Sequence, residues 1–166
     1  MKKLLCVSLS LLLMLSMLTA CAAKPQDFSW NGLTVTLDSS FKTLESTTSS
    51  ASFASYLKMY VVVISYETFE ELENTDLDSQ MSASDYARIV MELNEFEGEP
   101  VTKDGITYYN YTGMSDDTEF TYMATIHRVG NAYWTVTFAS QTSDYDAAEP
   151  QFLSWAKTVS YAEVTA

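Results

Sequence analysis

The sequence predicts an α+β domain, in which two or three helices pack on a central antiparallel sheet. Three observations lead to this fold class. The apolar residues mostly alternate with polar ones, as they do in strands that bury one face, and turn residues separate these stretches. Two other segments space their apolar residues as a helix does. The length of 166 residues suits one domain, and no internal repeat is present.

The first half of the chain predicts two strands and a loop. An Asn-Gly turn at residues 31–32 precedes an alternating strand over 33–37. The Ser/Thr-rich segment 46–52 is predicted to be a loop. The apolar run over 59–64 is short and rich in β-branched residues, so it predicts a strand that is buried on both faces.

The second half predicts two hairpins. A Lys-Asp-Gly turn at residues 103–105 leads into a strand over 106–112, and an Asp-Asp turn at 116–117 separates it from a strand over 119–128. Gly130 and Asn131 then join that strand to one over 133–139. These strands are expected to pair with their neighbours along the chain, in antiparallel order.

The register of the last hairpin decides which side chains share a face, because a slip of one residue turns a whole strand over. The expected core face combines Phe120, Tyr122, Ala124 and Ile126 with Trp134, Val136 and Phe138. Directly paired residues share a face, so we favour a three-residue loop, which pairs Ile126 with Val136. A two-residue turn would instead pair Ile126 with Thr135. In the favoured register the opposite face carries Thr121, Met123, Thr125, His127, Thr135 and Thr137.

Two helices follow from apolar spacing, and a third is predicted in the segment Thr-Phe-Glu-Glu-Leu at residues 68–72. Residues 84–93 place apolar side chains at i, i+3, i+4 and i+7, and Ser82 with Asp85 three residues later is a capping-type start. The segment 152–159 repeats this spacing, and Pro150 is predicted to lie in the first turn of that helix. A shorter helix is predicted to start at Thr68.

The N-terminal residues have the features of an export signal. Two lysines precede an uncharged stretch over residues 4–18, which is shorter than the about 20 residues that a membrane span needs. The next residues, Leu18-Thr19-Ala20-Cys21, resemble the bacterial lipobox. This resemblance implies cleavage before Cys21 and lipid attachment to that residue. The alternative is an ordinary secretory signal that is cleaved near Ala23.

The expected organisation is a signal peptide over 1–20, a lipidated tether over 21–27 and one domain over 28–166. The expected location is the cell envelope, on the outer face of the cell membrane or, in a Gram-negative bacterium, on the outer membrane. The only other cysteine, Cys6, lies in the signal, so no disulfide is expected. The net charge of −13 makes nucleic acid an unsuitable partner, because binding phosphates requires a basic patch.

The order of the elements resembles that of a known family. A strand pair and an acidic connector precede the helix over 84–93 and a Gly-Ile-Thr-Tyr-Tyr hairpin at 105–109. An aromatic strand over 133–139 and Asp144-Tyr145 then precede Pro150-Gln151-Phe152 in the last helix. Over about residues 28–162 the chain resembles a PsbP-like domain, a kind common in bacterial lipoproteins. The resemblance implies an α/β/α sandwich and a mostly non-catalytic role in binding proteins or small ligands, but it assigns no functional residue.

The sequence offers little catalytic chemistry. His127 is the only histidine and is predicted to lie at the surface; with no free thiol it provides too few ligands for zinc. No Gly-x-Ser-x-Gly motif is present. Acidic clusters over 67–78 and 116–119 could hold Ca²⁺ or supply a carboxylate pair, although solvated charge is the default interpretation. We therefore predict no catalytic residue, no metal site and no cofactor.

The aromatic residues favour a binding role. The chain contains 3 Trp, 11 Tyr and 8 Phe, and exposed tyrosines beside threonines could hold a protein, peptide or glycan. The alternative is that they pack between strands. The predicted binding face consists of Tyr109, Tyr111, His127 and Tyr133. The main prediction is thus a lipid-anchored, non-enzymatic binding domain; the alternatives are a carrier of a small ligand or Ca²⁺, and a hydrolase with a carboxylate pair.

Overall fold

The computed structural model describes residues 24–73, 75 and 79–162. The predicted signal peptide, the lipobox with Cys21, and the acidic residues Asp76 and Asp78 lie outside the described residues. Within the described residues, no helix is both long enough and apolar enough to cross a membrane.

In the part of the chain that the structure describes, ten strands form two antiparallel sheets. The small sheet has the order β1-β2-β10, and the large sheet has the order β3-β4-β5-β9-β8-β7-β6. The strands of the small sheet are β1 (Pro25–Trp30), β2 (Leu33–Asp38) and β10 (Ser160–Tyr161). The strands of the large sheet are β3 (Lys42–Ser46), β4 (Ser50–Ser55), β5 (Tyr60–Thr68), β6 (Val101–Lys103), β7 (Ile106–Ser115), β8 (Thr118–Val129) and β9 (Ala132–Gln141).

The described α-helices are α1 (Phe69–Leu72), α2 (Ala83–Leu93) and α3 (Tyr145–Ala156). Thr68 caps α1 with a complete capping box, and the Ser82 hydroxyl accepts a hydrogen bond from the Asp85 amide at the start of α2. The predictions of a helix from Thr68 and of a helix over 84–93 are confirmed.

Helices pack on both faces of the large sheet. One face, here called the α3 face, packs against α3 and the small sheet through a core that includes Val62, Ile64, Met123, Val136, Phe138 and Phe152. The other, the α2 face, packs against α1 and α2 through Leu72, Tyr86, Met91, Tyr109, Ala124, Ile126 and Tyr133. The predicted α+β class, a central antiparallel sheet with helices on both faces, is confirmed.

The predicted register of the last hairpin is wrong. Val129 pairs with Ala132 across a two-residue Gly130-Asn131 turn, and Ile126 pairs with Thr135 rather than with Val136. Gly130 has φ +61° and Asn131 belongs to the same tight turn, which two residues suffice to close. As a result, the even-numbered residues of β8 share the α2 face with Thr135 and Thr137. The odd-numbered ones share the α3 face with Trp134 and Val136.

Three boundaries also differ from those predicted. Residues 50–52, predicted to belong to a loop, form the start of β4 because they pair with β5, and Ala51 is buried. The expected domain start at residue 28 falls inside β1, which begins at Pro25. Helix α3 begins at Tyr145, so Pro150 lies in its interior rather than in its first turn. Burial of Tyr145 and Ala148 in the core extends this helix beyond the start that proline suggested.

Candidate functional site

A groove opens on the α2 face, between the C-terminal half of α2 and strands β5, β9 and β7. Its volume is about 480 Å³. Its lining combines aromatic and hydroxyl-bearing side chains with one carboxylate: Ser65, Tyr66, Glu67, Tyr86, Val90, Leu93, Asn94, Phe96, Tyr109, Tyr111, Thr135 and Thr137.

The floor of the groove follows from strand alternation. Thr135 and Thr137 occupy alternate positions of β9, and both are half-buried on the α2 face. Their direct partners on β8 are Ile126 and Ala124. Because threonine and alanine are small, the floor leaves room below the helix instead of filling it.

Helix α2 is held over one end of this floor by aromatic contacts. The ring of Tyr86 stacks on that of Tyr133 with centroids 4.2 Å apart. The Tyr133 hydroxyl donates a 2.7 Å hydrogen bond to the Met81 carbonyl oxygen, just before the helix starts. Arg128 donates to the carbonyl oxygen of Ser79. The helix is thereby fixed at its N-terminal end, and the groove lies toward its C-terminal end.

Among the described residues that line the groove, the one carboxylate is paired with a tyrosine. The Tyr86 hydroxyl donates a hydrogen bond to Oε2 of Glu67. Burial, followed by this contact with Glu67, raises the pKa of Tyr86. Burial also raises the pKa of Tyr109 to about 12 and that of Tyr111 above its usual value. All three phenols are therefore neutral hydrogen-bonding groups near pH 7.

A stack of rings forms one wall of the groove. Phe96 and Tyr111 lie with centroids 4.4 Å apart and planes 4° from parallel, and Tyr122 continues the stack at 4.8 Å from Tyr111. At the rim, Leu93 is 62% exposed. An apolar side chain of this size at the edge of an aromatic groove is available to a binding partner.

The four residues predicted as a binding face do not share one face. Tyr109, Tyr111 and Tyr133 lie on the α2 face, whereas His127 pairs with Trp134 on the α3 face. The prediction for His127 failed because it depended on the three-residue loop, and the observed two-residue turn reverses the strand. Tyr133 is fully buried under α2, and Tyr109 is 5% exposed. Tyr111, which is half-buried, is the most accessible of the three tyrosines.

His127 is a partly buried residue with a defined hydrogen bond. The Thr125 hydroxyl donates to the Val136 carbonyl oxygen at 2.9 Å, so at 3.0 Å it accepts from Nε2 of His127. Burial lowers the pKa of His127 to about 4. The imidazole is thus neutral at pH 7, with its hydrogen on Nε2, and it lies on the opposite side of the sheet from the groove.

Sequence reasoning missed several residues of the groove. Thr135 and Thr137 were assigned to the correct strand but combined with the wrong neighbours. Glu67 was seen only as part of an acidic cluster, and no local pattern pairs it with Tyr86, 19 positions away. Phe96 follows the end of α2, where periodicity no longer indicates where a side chain packs.

The described residues contain no group of three or more His, Cys, Asp or Glu side chains that could hold a metal ion. Glu67 is the one acidic side chain among the described residues that line the groove. A carboxylate pair of the kind used for glycoside hydrolysis requires two such groups facing one site. The arrangement of the groove suits hydrogen bonding and apolar contact better than it suits acid-base chemistry.

The described residues also line cavities other than the groove. One, of about 440 Å³, lies between α3 and β2 and is lined by Pro25, Asp38, Lys58 and Trp155, among others. Another, of about 340 Å³, lies beside the two Asn-containing turns and is lined by Tyr66, Trp134 and Tyr161, among others. The first has no tyrosine among its described lining residues, and the second combines Tyr66 and Tyr161 with Thr68 in a smaller volume than that of the groove.

No family model and no curated protein matches the chain. Among solved structures, cyanobacterial PsbP from Synechocystis aligns with a TM-score of 0.52 and 13% identity, over 87% of this chain and 96% of PsbP. The Ran-binding protein Mog1p of Saccharomyces cerevisiae aligns with a TM-score of 0.54 and 8% identity, over 84% of this chain and 96% of Mog1p. The fold is that of PsbP and Mog1p.

A crystal structure from Bacteroides thetaiotaomicron also has this fold, with a TM-score of 0.55 and 15% identity over 82% of the present chain. The alignment covers 48% of the Bacteroides chain, so the present chain spans about half of that protein. The resemblance to PsbP-like domains that the order of elements indicates is therefore confirmed for the fold. Identities this low carry no residue of the groove from one protein to another.

Proposed function

We propose that this protein is a lipid-anchored, extracytoplasmic and non-enzymatic binding domain, which holds a segment of a partner protein in the groove beside α2. One observation carries the proposal: the groove joins half-buried threonines, neutral tyrosines and the exposed rim residue Leu93 on one accessible surface. Tyrosine and threonine provide both apolar contact and hydrogen bonds, a combination typical of protein-binding surfaces.

The negative charge of the chain and of the groove favours a partner segment with a basic side chain. The chain has a net charge of −13, and Glu67 is the acidic residue of the groove. A partner segment with a basic side chain near Glu67 and an apolar side chain near Leu93 would complement both features. The proposal of a protein partner also has support from Mog1p, a Ran-binding protein with the same fold.

The proposed anchor rests on the sequence Leu18-Thr19-Ala20-Cys21 and on the apolar stretch before it. Cleavage before Cys21 would leave two residues, Ala22 and Ala23, between the lipid-bearing cysteine and Lys24. The proposed location is the outer face of the cell membrane, or the outer membrane of a Gram-negative cell. Intact-mass measurement of the protein purified from membranes tests this part, because a diacylated or triacylated terminus at Cys21 is expected.

The groove is tested by photo-crosslinking of the full chain in cells. Benzoylphenylalanine replaces Leu93 at the rim or, as a matched control, Leu44, which is exposed on β3 away from the groove. A discrete protein adduct is expected only from position 93. Thr137→Arg should abolish the adduct by filling the groove, whereas Thr43→Arg on β3 should leave it unchanged. An adduct from position 93 that survives Thr137→Arg, or none at all, would contradict the proposal.

A small ligand is the second candidate, because the groove volume of about 480 Å³ falls within the range of small-molecule sites, about 300–1,000 Å³. Thermal melts with a panel of amino acids, sugars and Ca²⁺ address this role. A ligand at 100 times its Kd adds about 2.7 kcal/mol to the free energy of unfolding. A ligand-dependent shift that Thr137→Arg removes, with no crosslinked protein, would favour the carrier.

A further inference from the structure

The hairpin between β4 and β5 ends in a cluster of exposed apolar side chains. Leu57 is 88% exposed, Tyr56 is 71% exposed and Met59 is 50% exposed. The turn is closed by a hydrogen bond from the Lys58 amide to the Ser55 carbonyl oxygen. We call residues 56–59 the apolar tip. Three large apolar side chains so close together at a solvent-exposed turn are unfavourable unless something covers them.

The apolar tip lies beside the point where the described chain begins. The Lys24 carbonyl oxygen accepts a 2.7 Å hydrogen bond from the Ser39 amide. One residue earlier, Asp38 forms a 2.8 Å ion pair with Lys58 of the tip. The hydroxyls of Ser40 and Ser55 are also hydrogen-bonded to each other. These contacts place Lys24 and the apolar tip at the same corner of the domain.

The anchor in the proposed function would hold this corner close to a bilayer. Cys21 precedes Lys24 by three residues, and an extended chain of that length spans about 10 Å. A lipid on Cys21 therefore could not reach a membrane that faced the far edge of the large sheet, at β6. Only a corner within this reach of Lys24 can contact the surface in which the lipid is embedded.

Basic side chains are concentrated at this corner, although Asp144 and Asp146 follow β9 at the same end of the sheet. Lys24, Lys42 and Lys58 lie there, and they are three of the seven basic residues in 24–162. Burial opposes ionisation of Asp38, but hydrogen bonds from Lys58 and Ser40 outweigh it and hold the pKa of that carboxyl below its usual value. The acidic turn between β7 and β8 is at the same end of the sheet but about 10–14 Å away, two or three strand spacings.

We propose that the apolar tip inserts into the headgroup region of the lipid bilayer beside the lipid on Cys21. This inference rests on the anchor in the proposed function. A diacylated or triacylated cysteine anchors the chain without fixing its orientation, and an apolar contact beside it buries further apolar area and orients the domain on the bilayer. Contact at the tip would place the layer containing β1 and β2 toward the membrane. The groove on the α2 face would remain on the side of the large sheet that faces away from this layer.

Tryptophan fluorescence in vesicles tests the insertion. The native residues Trp30, Trp134 and Trp155 are all buried, so an added tryptophan at an exposed site gives a distinct signal. The full chain carrying Leu57→Trp is reconstituted in phosphatidylethanolamine-phosphatidylglycerol vesicles with brominated acyl chains. Val101→Trp, on the exposed far-edge strand β6, is the matched control. Bromine is expected to quench the added signal at least twofold more in Leu57→Trp than in Val101→Trp, with a blue shift only at position 57.

The possible outcomes distinguish a failure of the proposed insertion from a failure of the proposed lipid anchor. Equal quenching at positions 57 and 101 in a protein whose mass shows lipid on Cys21 would overturn the insertion and leave the anchor intact. Selective quenching at position 57 in a protein without lipid would support the insertion and contradict the anchor. A blue shift at position 57 that requires added membrane proteins, and is absent in protein-free vesicles, would assign the tip to a protein partner and overturn the proposal.

Discussion

Replacement of His127 by glutamine tests the observed register through the pH dependence of stability. In the observed register His127 lies on the α3 face beside Trp134, and burial lowers its pKa to about 4. In the rejected register it would lie on a polar strand face, with a pKa near the ordinary 6.5. The chain has no other histidine, so its titration is unambiguous.

The sign and size of the effect follow from linkage. The unfolded chain takes up a proton on His127 below about pH 6.5, whereas the folded chain does so only near pH 4. Protonation therefore favours the unfolded chain, and stability falls as the pH decreases from 6.5 to 4. A pKa difference of this size corresponds to a loss of about 2 kcal/mol at pH 5 and about 3 kcal/mol at pH 4.

Urea unfolding of the native protein and of His127→Gln, at pH 7 and pH 5, measures this loss. The carboxylates titrate in both proteins, so the difference between them isolates His127. The free energy of unfolding of the native protein should fall by about 2 kcal/mol more than that of the variant. Proton NMR of the imidazole should independently show a pKa near 4. A pKa near 6.5, or the same pH dependence in both proteins, would refute the observed burial of His127.

Two local features of the fold, the cap at Ser82 and the turn at Gly130, can also be tested by substitution. Ser82→Ala removes the hydroxyl that accepts a 3.1 Å hydrogen bond from the Asp85 amide, and it should lower the free energy of unfolding by about 1 kcal/mol. Ser82→Asp should retain the cap. Equal urea midpoints for the alanine variant and the native protein would argue against the cap. Gly130→Ala and Gly105→Ala both place alanine at positive φ, which costs about 1–2 kcal/mol, but only a Cβ at 130 would lie 3.1 Å from the Tyr161 ring. Thermal melts should therefore show the greater loss for Gly130→Ala, and equal losses would mean that Tyr161 moves aside freely.

The sequence was sufficient for the elements whose pattern is local. Helix α2 buries Tyr86 and Met91 on one side and begins at the capping serine, so spacing and cap point to the same segment. The short helix after Thr68 was predicted from the segment Thr-Phe-Glu-Glu-Leu, and the structure shows that Thr68 and Glu71 form a capping box at its start. The α+β class then followed from the order of the predicted strands and helices along the chain.

The register could not be obtained in the same way, because helices pack on both faces of the large sheet. On β8, Ala124 and Ile126 are buried on the α2 face, and Met123 and Thr125 are buried on the α3 face. The alternation of apolar and polar residues along a strand distinguishes a buried face from a solvent-exposed one, but it cannot distinguish between two buried faces. Thr125 in particular is fully buried because its hydroxyl bonds to Val136 and His127, so its polarity gave a misleading signal.

The same difference in coverage explains why the groove lies where it does. On the α3 face, α3 and the small sheet bury the central strands, and Val62, Val136 and Phe138 have no exposed surface. On the α2 face, α2 covers Tyr133 and Ile126 but not the neighbouring half of the sheet, where Val63 and Thr137 remain half-buried.

A sheet that is covered on one side and half-covered on the other has apolar surface left for a partner to bury. On this argument a bound segment would extend the layer that α2 begins, with Tyr111 and Leu93 on one side of it and Val63 on the other. Val63→Ser removes apolar surface from the uncovered half of the α2 face. It should therefore reduce the yield of the crosslink at position 93 while changing the melting temperature only slightly.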